Sequence, residues 1–126
     1  MRSFRIPVFL LLLLLVLTLA HSALITRQCR AWDAVLLRAE QSAAAEDRTD
    51  AAAQLDAFAV SWARWRPWLH MTVSHGALDE AEACLRRCLA LCRDEEDAEL
   101  RAALSDLRTH LLLLDQRERL SAENIL

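Results

Sequence analysis

From Ile6 to Ile25 the chain reads IPVFLLLLLLVLTLAHSALI, twenty residues without a charge. As an α-helix such a stretch rises about 30 Å, the hydrocarbon thickness of a bilayer. No other stretch restricts the fold as much, because a helix so apolar on all sides needs lipid or a large core. Pro7 falls in the first turn of a helix starting at Ile6, where its missing N–H is not needed. Arg2 and Arg5 precede the span, and the first acidic residue is Asp33. The positive-inside rule then keeps the N-terminus in the cytoplasm and exports the chain beyond Ile25.

A cleaved signal peptide is the rival reading. Its features are the basic start, the leucine run and Ala20-His21-Ser22 before Ala23. The length of the run, and a helical pattern continuing unbroken beyond it, favour a retained anchor. The chain therefore divides into an N-terminal transmembrane anchor, 1–25, and an extracytoplasmic helical domain, 26–126. The location implied is the cell membrane, crossed once.

Composition supports an all-α fold. One glycine, two prolines and no tyrosine suit a β-domain poorly, while Leu, Ala, Arg and Glu favour helix. Every one of the 15 basic residues is Arg, which reads as codon bias and not as function. Taking away Arg2 and Arg5 leaves 13 arginines against 18 acidic residues in the exported part. That balance argues against nucleic acid as a partner.

Apolar residues recur at helical spacing four times. The first stripe is Ile25, Cys29, Trp32, Leu36, Ala39 and Ala43, extending the membrane helix to about Glu46. After the polar run Glu46–Asp50, with Thr49 or Asp50 as cap, a second helix starts near Ala51. Its stripe is Leu55, Phe58, Trp62, Trp65 and Leu69. Pro67 is expected to kink or divide it, and His75-Gly76 to end it with the glycine left-handed. The third helix, Leu78 to Arg93, carries Leu78, Ala81, Leu85, Cys88 and Cys92, with Asp79, Glu80 and Glu82 in its first turn. Asp94 to Asp97 forms an acidic linker. The fourth helix, Asp97 to Asp115, carries Leu100, Leu104, Leu107, Leu111 and Leu114, and Ser121 can cap a following tail. Short connections between narrow stripes predict an antiparallel up-down bundle with coiled-coil-like packing. A core this small would gain from self-association or a protein partner.

Three groups of residues invite chemistry. Cys84, Cys88 and Cys92 share one helix face. They can be small core residues, one can form a disulfide with Cys29 (Cys29–Cys84 is the candidate pair), or they can bind metal with His75 or His110. Three thiols about 6 Å apart per step on one straight helix do not close a tetrahedron around zinc by themselves. His75, with Asp79 one turn on, can serve as base or ligand, or can simply close a turn. Trp62, Arg64, Trp65, Arg66, Trp68 and Met71 interleave aromatic and basic residues. Trp62 and Trp65 belong to the stripe. Arg64, Arg66, Trp68 and Met71 fit a membrane interface, because the second helix returns toward the bilayer. The acidic turns at Asp47 and Asp94–Asp97 then face outward as the partner-facing end. No glycine-rich loop or nucleophile constellation is visible, so neither a cofactor nor an enzymatic activity is expected.

At WARWRPWLHMTVSHGALDEAEACLRRCLAL, and again at the closing LSAENIL, the chain resembles the bacterial membrane-anchored family known as domain of unknown function 4363, found mainly in Firmicutes. The shared features are Trp62 on a helix, His75 followed by Leu78-Asp79, an acidic break, and the ending Glu123-Asn124-Ile125-Leu126. Ala77 departs from the pattern, where an acidic residue is usual. The resemblance implies an extracytoplasmic helical domain on the cell membrane and no particular activity. The function expected is a non-enzymatic interaction or scaffold module. The alternative is a thiol- or metal-dependent envelope protein using Cys84, Cys88, Cys92 and His75.

Overall fold

The computed structural model describes residues 2–94 and 97–125. Glu95 and Glu96 of the acidic linker, and Leu126 at the end of the family-like motif, lie outside the described residues. Four α-helices account for nearly all of the chain: α1 Arg2–Ala44, α2 Arg48–Thr72, α3 His75–Arg93 and α4 Asp97–Ile125. Each packs on its neighbours in sequence, and α1 also packs on α4, which closes a four-cornered antiparallel bundle.

The 43 residues of α1 make a rod of about 65 Å. It begins at Arg2, earlier than Ile6, so Pro7 sits inside the helix and leaves the Ser3 carbonyl without its helical donor. From Phe4 to Leu19 the large apolar side chains of α1 other than the half-covered Leu15 stand exposed, including Phe9, Leu11, Leu14 and Val16. At Ile25, 1% exposed, the helix enters the bundle.

The core follows the helical spacing. Every residue of the first and fourth stripes is buried; in the second Trp65, and in the third Cys92, are only partly covered. At the centre of the α1–α2 seam, Trp32 meets Phe58, Trp62 and Trp65 with ring centroids 5.7, 5.3 and 6.3 Å apart. Buried indoles need a partner for their N–H. Trp32 donates to Ser61 Oγ at 2.9 Å, and Trp62 to Glu82 Oε1 at 3.4 Å.

The helix ends differ from the expectations. The α1–α2 turn is a Schellman closure in which the Asp47 N–H donates to the Ser42 carbonyl and the Glu46 N–H to that of Ala43. Its left-handed residue is Glu46, at φ 61°. Asp47, not Thr49 or Asp50, caps α2: its carboxylate accepts from the Asp50 N–H at 3.1 Å. Helix α2 runs through Pro67 without dividing and stops at Thr72, because Val73 turns extended at φ −121°, ψ 158°. His75 and Gly76 therefore open α3 instead of closing α2, and Gly76 is not left-handed. Ser74 occupies the cap position. With the helix starting there, Asp79, Glu80 and Glu82 lie beyond its first turn. Helix α4 does not stop at Asp115. It continues through Ser121, which caps nothing, to Ile125.

Candidate membrane interface at the foot of the bundle

Because α4 is longer than its leucine stripe, it runs back down α1 beyond the core. Four contacts fix the register. Arg108 reaches Asp33 at 2.8 Å and Glu40 at 2.5 Å, Thr26 donates to Asp115 Oδ1 at 2.6 Å, and His21 Nε2 meets Glu118 Oε2 at 3.2 Å. One turn past Glu118, Ala122 is also buried. The last turns of α4 thus lie against the end of the apolar stretch.

Helix α2 arrives at the same level. Its Trp68 ring packs on His21 with centroids 5.5 Å apart. The indole stays 43% exposed, and Met71, on the next turn, is 81% exposed. His21, Trp68, Glu118 and the α4 terminus make the foot of the bundle, where the bare apolar rod ends.

The four arginine, tryptophan and methionine positions assigned to a membrane interface have different surroundings. Arg66 is engaged by Glu82 at 2.8 Å and by His70 at 3.3 Å. Arg64 is exposed, with no partner among the described residues. Trp68 and Met71 lie at the foot itself.

Asp115 is the one buried charged residue among the described residues, 4% exposed. It accepts from Thr26 and is paired with Arg119 at 3.1 Å, so its charge is compensated on both sides. Arg108 bridges two carboxylates two turns apart on α1. Those hydrogen bonds raise its guanidinium further above its ordinary value, outweighing burial. Beside these residues an open groove of about 540 Å³ runs between α1 and α4, past Cys29, Arg30, Arg108, Asp115 and Arg119. A second hollow, nearer the apolar rod, lies between Leu19, Ala23, Thr26, Arg27, Arg30 and Arg119.

All four cysteines are free, so the Cys29–Cys84 bridge is not formed. Geometry explains this. Helices α1 and α3 occupy opposite corners of the bundle. Cys84 instead points toward α4, where its thiol lies 3.5 Å from the Ala103 carbonyl. Burial pushes the thiols of Cys29 and Cys88 up to about 12, and those of Cys84 and Cys92 upward as well. Thiols held protonated are poor nucleophiles and poor ligands. Among the described residues no three His, Cys, Asp or Glu side chains gather as a metal site. His75 lies against His70, with the rings tilted and their centroids 5.6 Å apart, and does not join Asp79. Of the family-like positions, Trp62 and Leu78 are core, while Asp79, Glu123 and Asn124 are exposed.

Sequence reasoning passed over His21, Thr26, Asp115, Glu118 and Arg119. A signal for them existed. Asp115 and Glu118 continue the period of Leu107, Leu111 and Leu114, and a histidine inside an apolar run calls for a partner. No known family's sequence model, no curated protein and no solved structure matches the chain.

Proposed function

We propose that the protein is a single-pass, membrane-anchored helical module that works by interaction and not by catalysis, with its bundle outside the cytoplasm. The observation that carries the reading is the continuity of α1: one helix, apolar but for Arg5 and largely exposed from Phe4 to Leu19, then buried on one face from Ile25. An uncovered rod of that kind is stable in lipid and not in water. The bundle beyond it is built on ordinary core packing, and its thiols and histidines are occupied in structure. This supports a scaffold or tether reading, in keeping with what the resemblance to domain of unknown function 4363 implies.

The exposed run Phe4–Leu19 rises about 24 Å, somewhat less than the hydrocarbon core. The headgroup layer therefore takes in the foot of the bundle, with Trp68 and Met71 at the lipid surface. The acidic far end, with Glu46, Asp47, Asp94 and Asp97, stands away from the membrane and faces a protein partner or a second copy.

Two measurements test the reading. Membranes washed with alkaline carbonate should retain the protein. In intact cells, a Ser3→Cys variant should resist a thiol reagent that cannot cross membranes. Release into the wash refutes the anchor, and free labelling at position 3 refutes the orientation.

A further inference from the structure

We infer that the hollow between α1 and α4 at the foot of the bundle holds the phosphate of an anionic phospholipid, with Arg27, Arg30 and Arg119 as its cationic wall. This rests on the membrane reading above and adds to it a chemically selective lipid site.

The hollow is built in two parts. Its upper part is polar and basic: Thr26 and the three arginines line it. Its lower part is Leu19, Ser22 and Ala23, and it opens onto the apolar rod. On α1, Leu12, Val16, Leu19, Ala23, Thr26 and Arg30 follow one another at steps of four and three, so they share one face. Of these, Leu12, Val16 and Leu19 are exposed. A strip of bare apolar surface thus leads straight up to guanidinium groups. That is the order of parts in a phospholipid, acyl chain then phosphate.

The charge is uncompensated where it matters. Arg27 and Arg30 have no acidic partner among the described residues, whereas Arg119 is paired with Asp115. Asp33, one turn above Arg30, is already taken by Nε and Nη2 of Arg108, at 2.8 and 3.5 Å. The foot therefore presents two spare positive charges on a domain that is acidic as a whole. Guanidinium groups bind phosphate oxygens in pairs and tolerate partial desolvation better than lysine. A zwitterionic headgroup would bring its own cation among the arginines, so the site selects a lipid with net negative charge. Basic pockets beside membrane helices bind anionic headgroups on this principle.

The test uses the full chain purified in detergent, offered equal amounts of phosphatidylglycerol and phosphatidylcholine, with retained lipid read by native mass spectrometry. Preferential retention of phosphatidylglycerol is expected. The Arg27→Gln/Arg30→Gln variant should lose that preference about ten-fold or more, since each arginine near an anionic surface is worth roughly five-fold. Arg27→Lys/Arg30→Lys should keep part of it, and Arg86→Gln/Arg87→Gln on α3 should keep all of it. Equal retention of the two lipids by the unaltered protein, or an unchanged preference in the Gln variant, overturns the site. So does removal of the preference by millimolar inorganic phosphate, which would make it a free-anion site. Flotation with phosphatidylcholine vesicles separates the two readings. A protein that floats but shows no lipid preference loses only the lipid site, and one that fails to float with any vesicle loses both.

Discussion

Trp68, near the end of α2, lies against His21, near the end of the apolar stretch of α1, with ring centroids 5.5 Å apart. The same imidazole meets Glu118 of α4 at 3.2 Å. One residue of the leucine-rich segment therefore gathers three helices, and it sets the level at which the bundle stops and the bare rod begins.

That contact has a spectroscopic consequence. In vesicles, a variant keeping Trp68 as its sole tryptophan should be quenched strongly by labels in the headgroup region. A variant keeping only Trp62, buried in the core, should be quenched weakly. Absence of quenching in the first would mean that the foot of the bundle stands clear of the lipid.

The buried Asp115 should be costly to truncate. Asp115→Ala leaves the Thr26 hydroxyl without its acceptor and the Arg119 guanidinium without its carboxylate, and should lower unfolding stability by about 1–3 kcal/mol. Replacing the pair together, Thr26→Val with Asp115→Leu, should recover much of that loss, because the hydroxyl and the carboxylate go together and the half-exposed Arg119 guanidinium can turn to water. Thermal unfolding in detergent followed by circular dichroism reads both. Equal loss in the single and the double variant would show that packing, not hydrogen bonding, is what Asp115 supplies.

Two backbone positions should respond in the stabilising direction. Glu46 holds a left-handed conformation that suits glycine, so Glu46→Gly should gain about 1 kcal/mol. Gly76 is helical, and an added Cβ would find nothing nearer than the Ser74 hydroxyl at 3.9 Å. Gly76→Ala should therefore gain about 0.5–1 kcal/mol. Denaturant midpoints check each, and a fall in either would contradict the turn assignments.

Alkali should weaken the fold through its buried thiols. In the folded chain Cys29 and Cys88 are raised from 9.0 to about 12, so the native state holds their protons where the unfolded state releases them. Their contribution is complete below pH 9 and is lost as pH rises from 9 toward 12, by at most about 1.4 kcal/mol per unit for each thiol. Unfolding midpoints measured from about pH 8 to about pH 11 should fall, and fall less in Cys29→Ala/Cys88→Ala. Near neutral pH these two thiols should react with thiol reagents only as fast as the chain opens.

Four helices, and most of the residues they bury, were legible in the chain itself. Burial on one side of a helix imposes its period on the composition, and Ile25, Trp32, Leu36, Leu104 and Leu111 keep that period without interruption. The bare leucine run was legible for the same reason, since nothing charged interrupts it. The helix ends were less so: Gly76 was expected to close α2 left-handed, whereas α2 ends in the extended Val73 and the left-handed closure falls at Glu46 after α1, because closure depends on where the preceding helix stops and not on residue type alone. The foot of the bundle was decided only by tertiary structure. Nothing local to Asp115 names Thr26 as its donor, nothing local to Trp68 names His21, and nothing in the spacing of Arg27 and Arg30 says that Asp33 is already held by Arg108. Those pairings join residues as many as 89 positions apart. They exist because α4 outruns its own apolar stripe and lies in one register against α1, and that register is set by packing between helices, which a one-dimensional pattern does not contain.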